Sequence, residues 1–506
     1  MWTTPGRSPR RAVVFASLAS CFACGDVVST TGRPTSAHAE QVTAPRIDRV
    51  SPSASASSSA AFGSAAEQVD ALFSQTPTMV DEPTRSEPIG HLEQPHALRH
   101  LFEMLALLED GHAHDDVRIL QYGDSHTSSD FGTGAMRRAL QARFGDGGRG
   151  FVSVGKPWTK YPYAQDGVRA GQTPEFHPEK GSRATRTSPP GDGRYGLLGI
   201  AVQSDGDAVG QAWTETTMHA SRVELAYYEQ PNGGSFDVFI DNSRVMRIGT
   251  SASKAQSAWR SFDVADAPHK VEVRSVGDGT VRLFGMTLDR ATAGVELDSL
   301  GIGGEQIYGP LSWDEAHMAE QLRHRAPDLV VLAYGTNESM NDTPAAAYER
   351  KLVDLLGRMS RAVPGASCML IGPPDRAAKQ KDGTWESAPK VQEVVESQRR
   401  VAQAAGCAFF DQLAAMGGPG SIARWSQDKP PRGARDRVHL TRDGYGVLAS
   451  ELVTDMLHAY AAWRADTGLA PSGAPTTPTP IALQPIEVDA SSPVAPHPHR
   501  RHRARP

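Results

Sequence analysis

Two rhythms of apolar positions divide the middle of the chain. The first sets a short β-rich apolar run before a stretch with helical spacing. Arg118-Ile-Leu-Gln-Tyr122 precedes an amphipathic stretch from about Ser129 to Phe144, and Val295-Glu-Leu-Asp-Ser-Leu300 precedes Ser312 to Arg325. Asp328-Leu-Val-Val-Leu-Ala-Tyr334 precedes Pro344 to Ala362, and Cys368-Met-Leu-Ile371 precedes Glu386 to Ala405. Cys407-Ala-Phe-Phe410 comes later, before a last helix from about Thr441 to Trp463. Alternating strands and helices with buried apolar strands predict a parallel α/β sheet. The second rhythm has period two and lies between about Phe151 and Arg290. Val223-Glu-Leu225-Ala-Tyr227 and Phe236-Asp-Val238-Phe-Ile240 show it, followed by Val271-Glu-Val273 and Val281-Arg-Leu283. Asp241-Asn242 supplies a turn, and Pro268, Gly277 and Gly279 punctuate the rest. This predicts an all-β module of sandwich or jelly-roll type, inserted after the first strand–helix unit. Its two ends must lie close together, because the host sheet continues on either side.

The ends of the chain read differently. Arg7, Arg10 and Arg11 precede a short apolar run, Ala12 to Leu18, as in an export signal. Leu18-Ala19-Ser20-Cys21 resembles a lipobox, in which the cysteine is cut free and lipidated; Cys24 after Ala23 is the second candidate. Ordinary secretion with cleavage near Ala37-His38-Ala39 is the alternative. That site stands far from the apolar run, so the lipoprotein reading is preferred. Residues 25–90 are rich in Ser, Ala, Thr and Pro and read as a flexible tether. Residues 466–506 read as a disordered tail rich in Pro, His and Arg. The expected organisation is therefore 1–24 signal, 25–90 tether, 91–150 with 295–465 catalytic, 151–294 inserted module and 466–506 tail. The expected location is the periplasm or cell envelope, with membrane contact only through the N-terminal lipid.

Composition narrows this picture. The 506 residues are 39% hydrophobic and 22% charged, which suits a globular core. A formal charge of −6 without a basic helix argues against a nucleic-acid partner. No apolar stretch reaches the ~18–20 residues of a membrane span. Of the four cysteines, Cys368 and Cys407 lie outside the signal region, each opening an expected strand. A disulfide between them and a pair of buried thiols are both open.

The chemistry centres on Tyr122-Gly123-Asp124-Ser125-His126, where a strand ends and the chain turns towards a helix. Parallel sheets place their sites at such carboxyl ends, and a helix there directs its free N–H groups and positive end at developing negative charge. Alone, a Gly-Asp-Ser turn is equally good as a helix cap. A serine nucleophile needs a base, and the base needs an orienting acceptor. Asp436-Arg-Val-His439, on a loop before the last helix, offers both. Gly301-Ile-Gly303-Gly304-Glu305 and Tyr334-Gly335-Thr336-Asn337-Glu338 end two further strands and offer oxyanion donors.

Taken in order, Gly-Asp-Ser, then Gly, then Gly-x-Asn, then Asp-x-x-His resembles the four blocks of the SGNH (GDSL) hydrolase family over about 93–150 and 295–465. The resemblance implies a flavodoxin-like parallel sheet, with Ser125, His439 and Asp436 as triad. It implies an oxyanion hole of the Ser125 and Gly304 N–H groups and the Asn337 amide, with no cofactor or metal. Within the family the chain looks most like bacterial peptidoglycan O-acetylesterases. That likeness rests on Gly123-Asp-Ser-His126 followed by Phe131-x-Thr133-Gly134-x-x-Arg137-Arg138, and on the inserted carbohydrate-binding-like module. The turn that reads Gly-Ile-Asn-Gly in those enzymes is Gly301-Ile-Gly303-Gly304 here. The implied partner is an acetylated glycan of the cell wall. Trp158, Tyr161 and Tyr163, near the start of the insert among Pro and Lys, are expected to be exposed for sugar stacking, whereas Tyr227 is expected in the sandwich core. Acetyl transfer to a sugar, esterase action on other acetylated polysaccharides and a non-enzymatic glycan-binding lipoprotein are the competing expectations.

Overall fold

The computed structural model describes residues 87–158, 165–180 and 191–469. Cys21, Cys24, the signal, nearly all of the tether, the tail beyond residue 469, and Tyr161 and Tyr163 lie outside the described residues. Among the described residues no helix is long and apolar enough to cross a membrane.

Five parallel strands form the central sheet, in the order Ala408–Phe410, Ser367–Ile371, Leu329–Ala333, Val117–Gly123, Val295–Gly301. Numbered along the chain, this is the doubly wound 2-1-3-4-5 order. Its switch point falls between Val117–Gly123 and Leu329–Ala333. A two-residue strand, Leu92–Glu93, adds an antiparallel edge beside Ala408–Phe410. Side chains alternate between two apolar layers, as strands buried on both faces require. Ile119, Val331, Met369 and Phe410 pack with helices Arg99–Glu109, Phe131–Phe144 and Arg442–Asp466. Leu120, Leu332, Leu370 and Phe409 pack with Glu315–Arg325, Ala345–Ala362 and Pro389–Ala405. The last of these helices starts later than the pattern implies. A hairpin of Ala377–Lys379 and Trp385–Ser387 precedes it, and Pro389 stands in its first turn. Cys368 and Cys407 form a disulfide, with Cα atoms 4.9 Å apart on neighbouring parallel strands.

The insert folds as two antiparallel sheets of five and six strands around a separate apolar core. Val223, Leu225 and Tyr227 face Phe236 and Val238 in that core. Asp241 and Asn242 both take positive φ in the hairpin between Ser235–Ile240 and Ser243–Gly249, as a two-residue primed turn requires. Where chain enters and leaves the module, Gly148 pairs with Asp289 and Asp146 bridges to Val295.

Module and sheet are locked together by buried charge. Asp130, before the Phe131–Phe144 helix, accepts hydrogen bonds from Arg137 at 2.9 Å and from Arg149 at 2.9 Å, and both guanidinium groups are buried. It also accepts from the Asp166 N–H at 2.9 Å. Arg137 reaches the Leu297 carbonyl and Arg149 opens the first strand of the module, so a single carboxylate joins helix, sheet and insert. A second knot pairs Arg325 with Asp298 at 2.7 Å and Glu296 at 2.6 Å, while Asp298 accepts the Phe151 N–H at 2.7 Å. Trp259 of the module stacks on His324 at 3.9 Å.

Trp158 corrects an expectation. It is 7% exposed and belongs to the apolar cluster shared by module and sheet, with Tyr195, Leu198 and Trp313. The six-stranded sheet has a second apolar face, and that face is covered by the α/β part.

Replacing Asp130 with Ala strands two buried guanidinium groups without their carboxylate. We expect a loss of about 3–5 kcal/mol, read as a lower midpoint of denaturant unfolding. A midpoint within error of wild type contradicts the assignment of this knot as structural.

Candidate active site

The site sits at the carboxyl ends of three strands. Val117–Gly123 delivers Asp124 and Ser125, Val295–Gly301 delivers the Gly303–Gly304 turn, and Leu329–Ala333 delivers Asn337. Gly123 allows the tight turn: a Cβ there would come within 2.2 Å of the Thr127 hydroxyl and 2.7 Å of the Ala333 carbonyl. The segment after it is one helical turn, Ser125–Ser128, capped by the Asp124 carboxylate through the His126 N–H at 2.9 Å. The longer helix begins only at Phe131. The dipole of a long helix, expected from the sequence, is therefore not aimed from Ser125, and local N–H groups take that place.

The structure brings Ser125, His439 and Asp436 together from loops more than 300 residues apart. Ser125 Oγ lies 2.9 Å from His439 Nε2, and His439 Nδ1 lies 2.7 Å from Asp436 Oδ2. With the imidazole neutral and protonated at Nδ1, His439 donates to Asp436 and accepts from the serine hydroxyl. That tautomer is assigned from the hydrogen-bond network. The remaining Asp436 oxygen accepts the N–H groups of Val438 and His439, each at 3.0 Å. Partial burial works against ionisation, but these bonds and the imidazole hold the Asp436 carboxyl well below the usual carboxylate range. Burial likewise disfavours a charged His439, yet the hydrogen bond and charge of Asp436 raise its pKa above the ordinary 6.5.

Around this core, burial decides the other protonation states. Asp124 is pushed up to about 6 by burial, against the His126 N–H and the charge of His439. His126 is pushed down to about 3 by burial and by His439, whose ring centroid is 5.2 Å away. It stays neutral near pH 7, with Nδ1 2.8 Å from the Tyr445 hydroxyl on the last helix.

Gly304 and Asn337 occupy two loops on either side of the serine strand. The turn from Ile302 to Glu305 closes with a 3.0 Å hydrogen bond, and Gly304 takes φ +80° at its third position. Its N–H therefore stands outside the bond that closes the turn. The Asn337 amide donates to the Glu305 carbonyl at 2.9 Å and to Asp124 Oδ2 at 3.3 Å. Two residues of the neighbourhood were not singled out in the sequence. His126 is visible there only as part of the Gly-Asp-Ser-His run. Glu338 is marked only by being an acid beside a strand end, a weak sign in a turn. Among the described residues no group of three or more His, Cys, Asp or Glu is arranged to hold a metal.

Residues 268–447 match the GDSL-like Lipase/Acylhydrolase family. The matched stretch contains Gly304, Asn337, Asp436 and His439, while Ser125 stands before it, on the far side of the insert. With the fold described above, this stretch marks a GDSL-like acylhydrolase domain, the kind that acts on ester bonds. Among solved structures, a peptidoglycan O-acetylesterase is 24% identical with a TM-score of 0.60, covering 74% of this chain and 100% of that one. This similarity shows a shared fold. A family two carbohydrate esterase from Cellvibrio japonicus is 15% identical, with a TM-score of 0.22 over 58% of this chain and 98% of its own. An acetyl xylan esterase is 21% identical, with a TM-score of 0.25 over 32% of this chain and 81% of its own. Neither of these two adds to the argument. Comparison with curated protein sequences finds no match.

Titration of the His439 ring by NMR should give a pKa above 6.5 that falls in Asp436→Asn, where the anionic partner is gone. An equal pKa in the two proteins contradicts the coupling described here.

Proposed function

We propose that this hydrolase is a serine esterase that removes O-acetyl groups from a cell-envelope glycan, with peptidoglycan as the polymer. The observation that carries the reading is the 2.9 Å contact between Ser125 Oγ and a His439 oriented by Asp436, at the switch point of the sheet. Ser125 attacks the acetyl carbonyl while His439 Nε2 takes the hydroxyl proton. Negative charge develops on the carbonyl oxygen, which the N–H groups of Ser125 and Gly304 and the Asn337 amide receive. His439 returns the proton to the departing sugar oxygen, leaving acetyl-Ser125. Water, deprotonated by the same imidazole, then attacks the acyl carbon; the bond to Ser125 Oγ breaks as His439 returns the proton to that oxygen, and acetate leaves.

The choice of a glycan ester is supported by the site's setting. The fold is shared with a peptidoglycan O-acetylesterase, and a β-sandwich is spliced between the serine and the other site residues. A lipobox-like Cys21, with Cys24 as second candidate, supports an envelope location for the enzyme in the same reading. Binding of sugar by Trp158 is not part of it, since that side chain is buried.

Acetate release from O-acetylated peptidoglycan and from acetylated xylan tests this directly. Wild type should release acetate from the former in preference, and Ser125→Ala should lose roughly 10⁴-fold or more. Asn337→Ala should lose roughly 10²–10³ in kcat. Because the base form of His439 is required and its pKa lies above 6.5, kcat/KM should fall as pH drops through that raised value. Acetate release that survives in Ser125→Ala, or a rate flat down to pH 4, contradicts the mechanism.

A further inference from the structure

Glu338 is a buried carboxylate, 4% exposed, that the chemistry above leaves without a role. Its Oε1 accepts the Ile307 N–H at 2.9 Å and its Oε2 accepts the Gly335 N–H at 3.0 Å. The first N–H belongs to the loop that follows Val295–Gly301. The second belongs to the loop that follows Leu329–Ala333. These two strands are not neighbours, because the serine strand Val117–Gly123 lies between them in the sheet. No ladder of backbone hydrogen bonds therefore fixes one loop against the other. Two side-chain bonds span the same gap in opposite directions: Asn337 Nδ2 donates to the Glu305 carbonyl at 2.9 Å, and Gln306 Nε2 donates to the Asn337 carbonyl at 2.9 Å.

We propose that Glu338 is a positioning residue for the oxyanion hole, strapping the Gly303–Gly304 turn to the Asn337 loop across the end of the serine strand. The inference rests on the esterase reading and deepens it. Two of the three oxyanion donors come from the strapped loops, and a small displacement of such donors is costly in rate. The chemistry of the strap calls for a carboxylate. Two N–H donors face two oxygens, and only an acid presents an acceptor to each. A glutamine of the same size would turn an amide donor towards one of them. Asp is one methylene shorter and cannot span the same gap. Burial, and the nearby Asp124, push the Glu338 pKa up to about 7 against the pull of the two N–H groups. Burying the carboxylate here costs free energy, which the two N–H partners offset only in part.

The test is the isosteric Glu338→Gln in the full chain, assayed on a soluble aryl acetate. We expect kcat to fall roughly 10–100-fold with KM within about twofold, the split expected of an interaction made in the transition state. Phosphonate labelling should count the same number of active serines as in wild type, so misfolding is not the source. Combined with Asn337→Ala, the loss should fall well short of the product of the two single losses, because both act on one oxyanion hole. Wild-type kcat in Glu338→Gln overturns the proposal, as does a change in KM alone or a full product in the double variant. Should Glu338→Gln fail to fold, Gln306→Ala removes a parallel bond of the strap, and an unchanged kcat there overturns it equally. A wild type without esterase activity brings down the functional reading as well; an active wild type matched by Glu338→Gln brings down only this inference.

Discussion

The contact between Ser125 and His439 is the constraint on which everything else in this molecule turns. It is a single 2.9 Å hydrogen bond between residues 314 positions apart, worth little by itself. It forms only if the serine strand occupies the switch point and the last helix docks beside the Phe131–Phe144 helix. The loop from Asp436 to His439 must also be fixed by its own backbone. Each condition is met by ordinary means: Gly123 lets the chain turn against Ala333, and Asp436 accepts the N–H groups of its own loop. Thr441 caps the helix that follows His439. The reactive geometry is thus a consequence of sheet order, together with a left-handed Arg437, φ +54°, in the loop between Asp436 and His439.

An insert of this size placed directly after the first helix threatens that geometry. The structure answers with buried charge instead of more apolar surface. Asp130 gathers Arg137 and Arg149 at the splice, while Asp298 and Glu296 hold Arg325 and Asp298 also takes the Phe151 N–H of the module. Such knots are poor sources of net stability but are strongly directional. They fix how the sandwich leaves the sheet, and the shared cluster around Trp158, Tyr195 and Trp313 then fills the seam.

Much of this was legible in the sequence because the two apolar periods are physically distinct. Leu329–Ala333 is buried on both faces and so reads as an unbroken apolar run, whereas Val223 and Leu225 alternate with polar positions. Turn residues showed where each parallel strand meets the site, which is why Ser125, Asn337 and the Asp436–His439 loop could be named. Other features had no signal of that kind. Leu92–Glu93 is too short to show a period. Trp158 looked exposed because its flanking residues are polar, while its burial depends on a second domain face that periodicity cannot see. Glu338 owes its place to two backbone N–H groups brought from different loops, and a backbone donor leaves no trace in the identity of a residue.

The central claim is that Ser125 is an activated nucleophile, and covalent trapping tests it most directly. Intact-mass analysis after exposure to a serine-directed phosphonate should show one adduct per chain, carried on the peptide that contains Ser125 and absent from both Ser125→Ala and His439→Ala. A folded wild type that takes up no label, or a Ser125→Ala protein that takes it up as readily, would contradict the account.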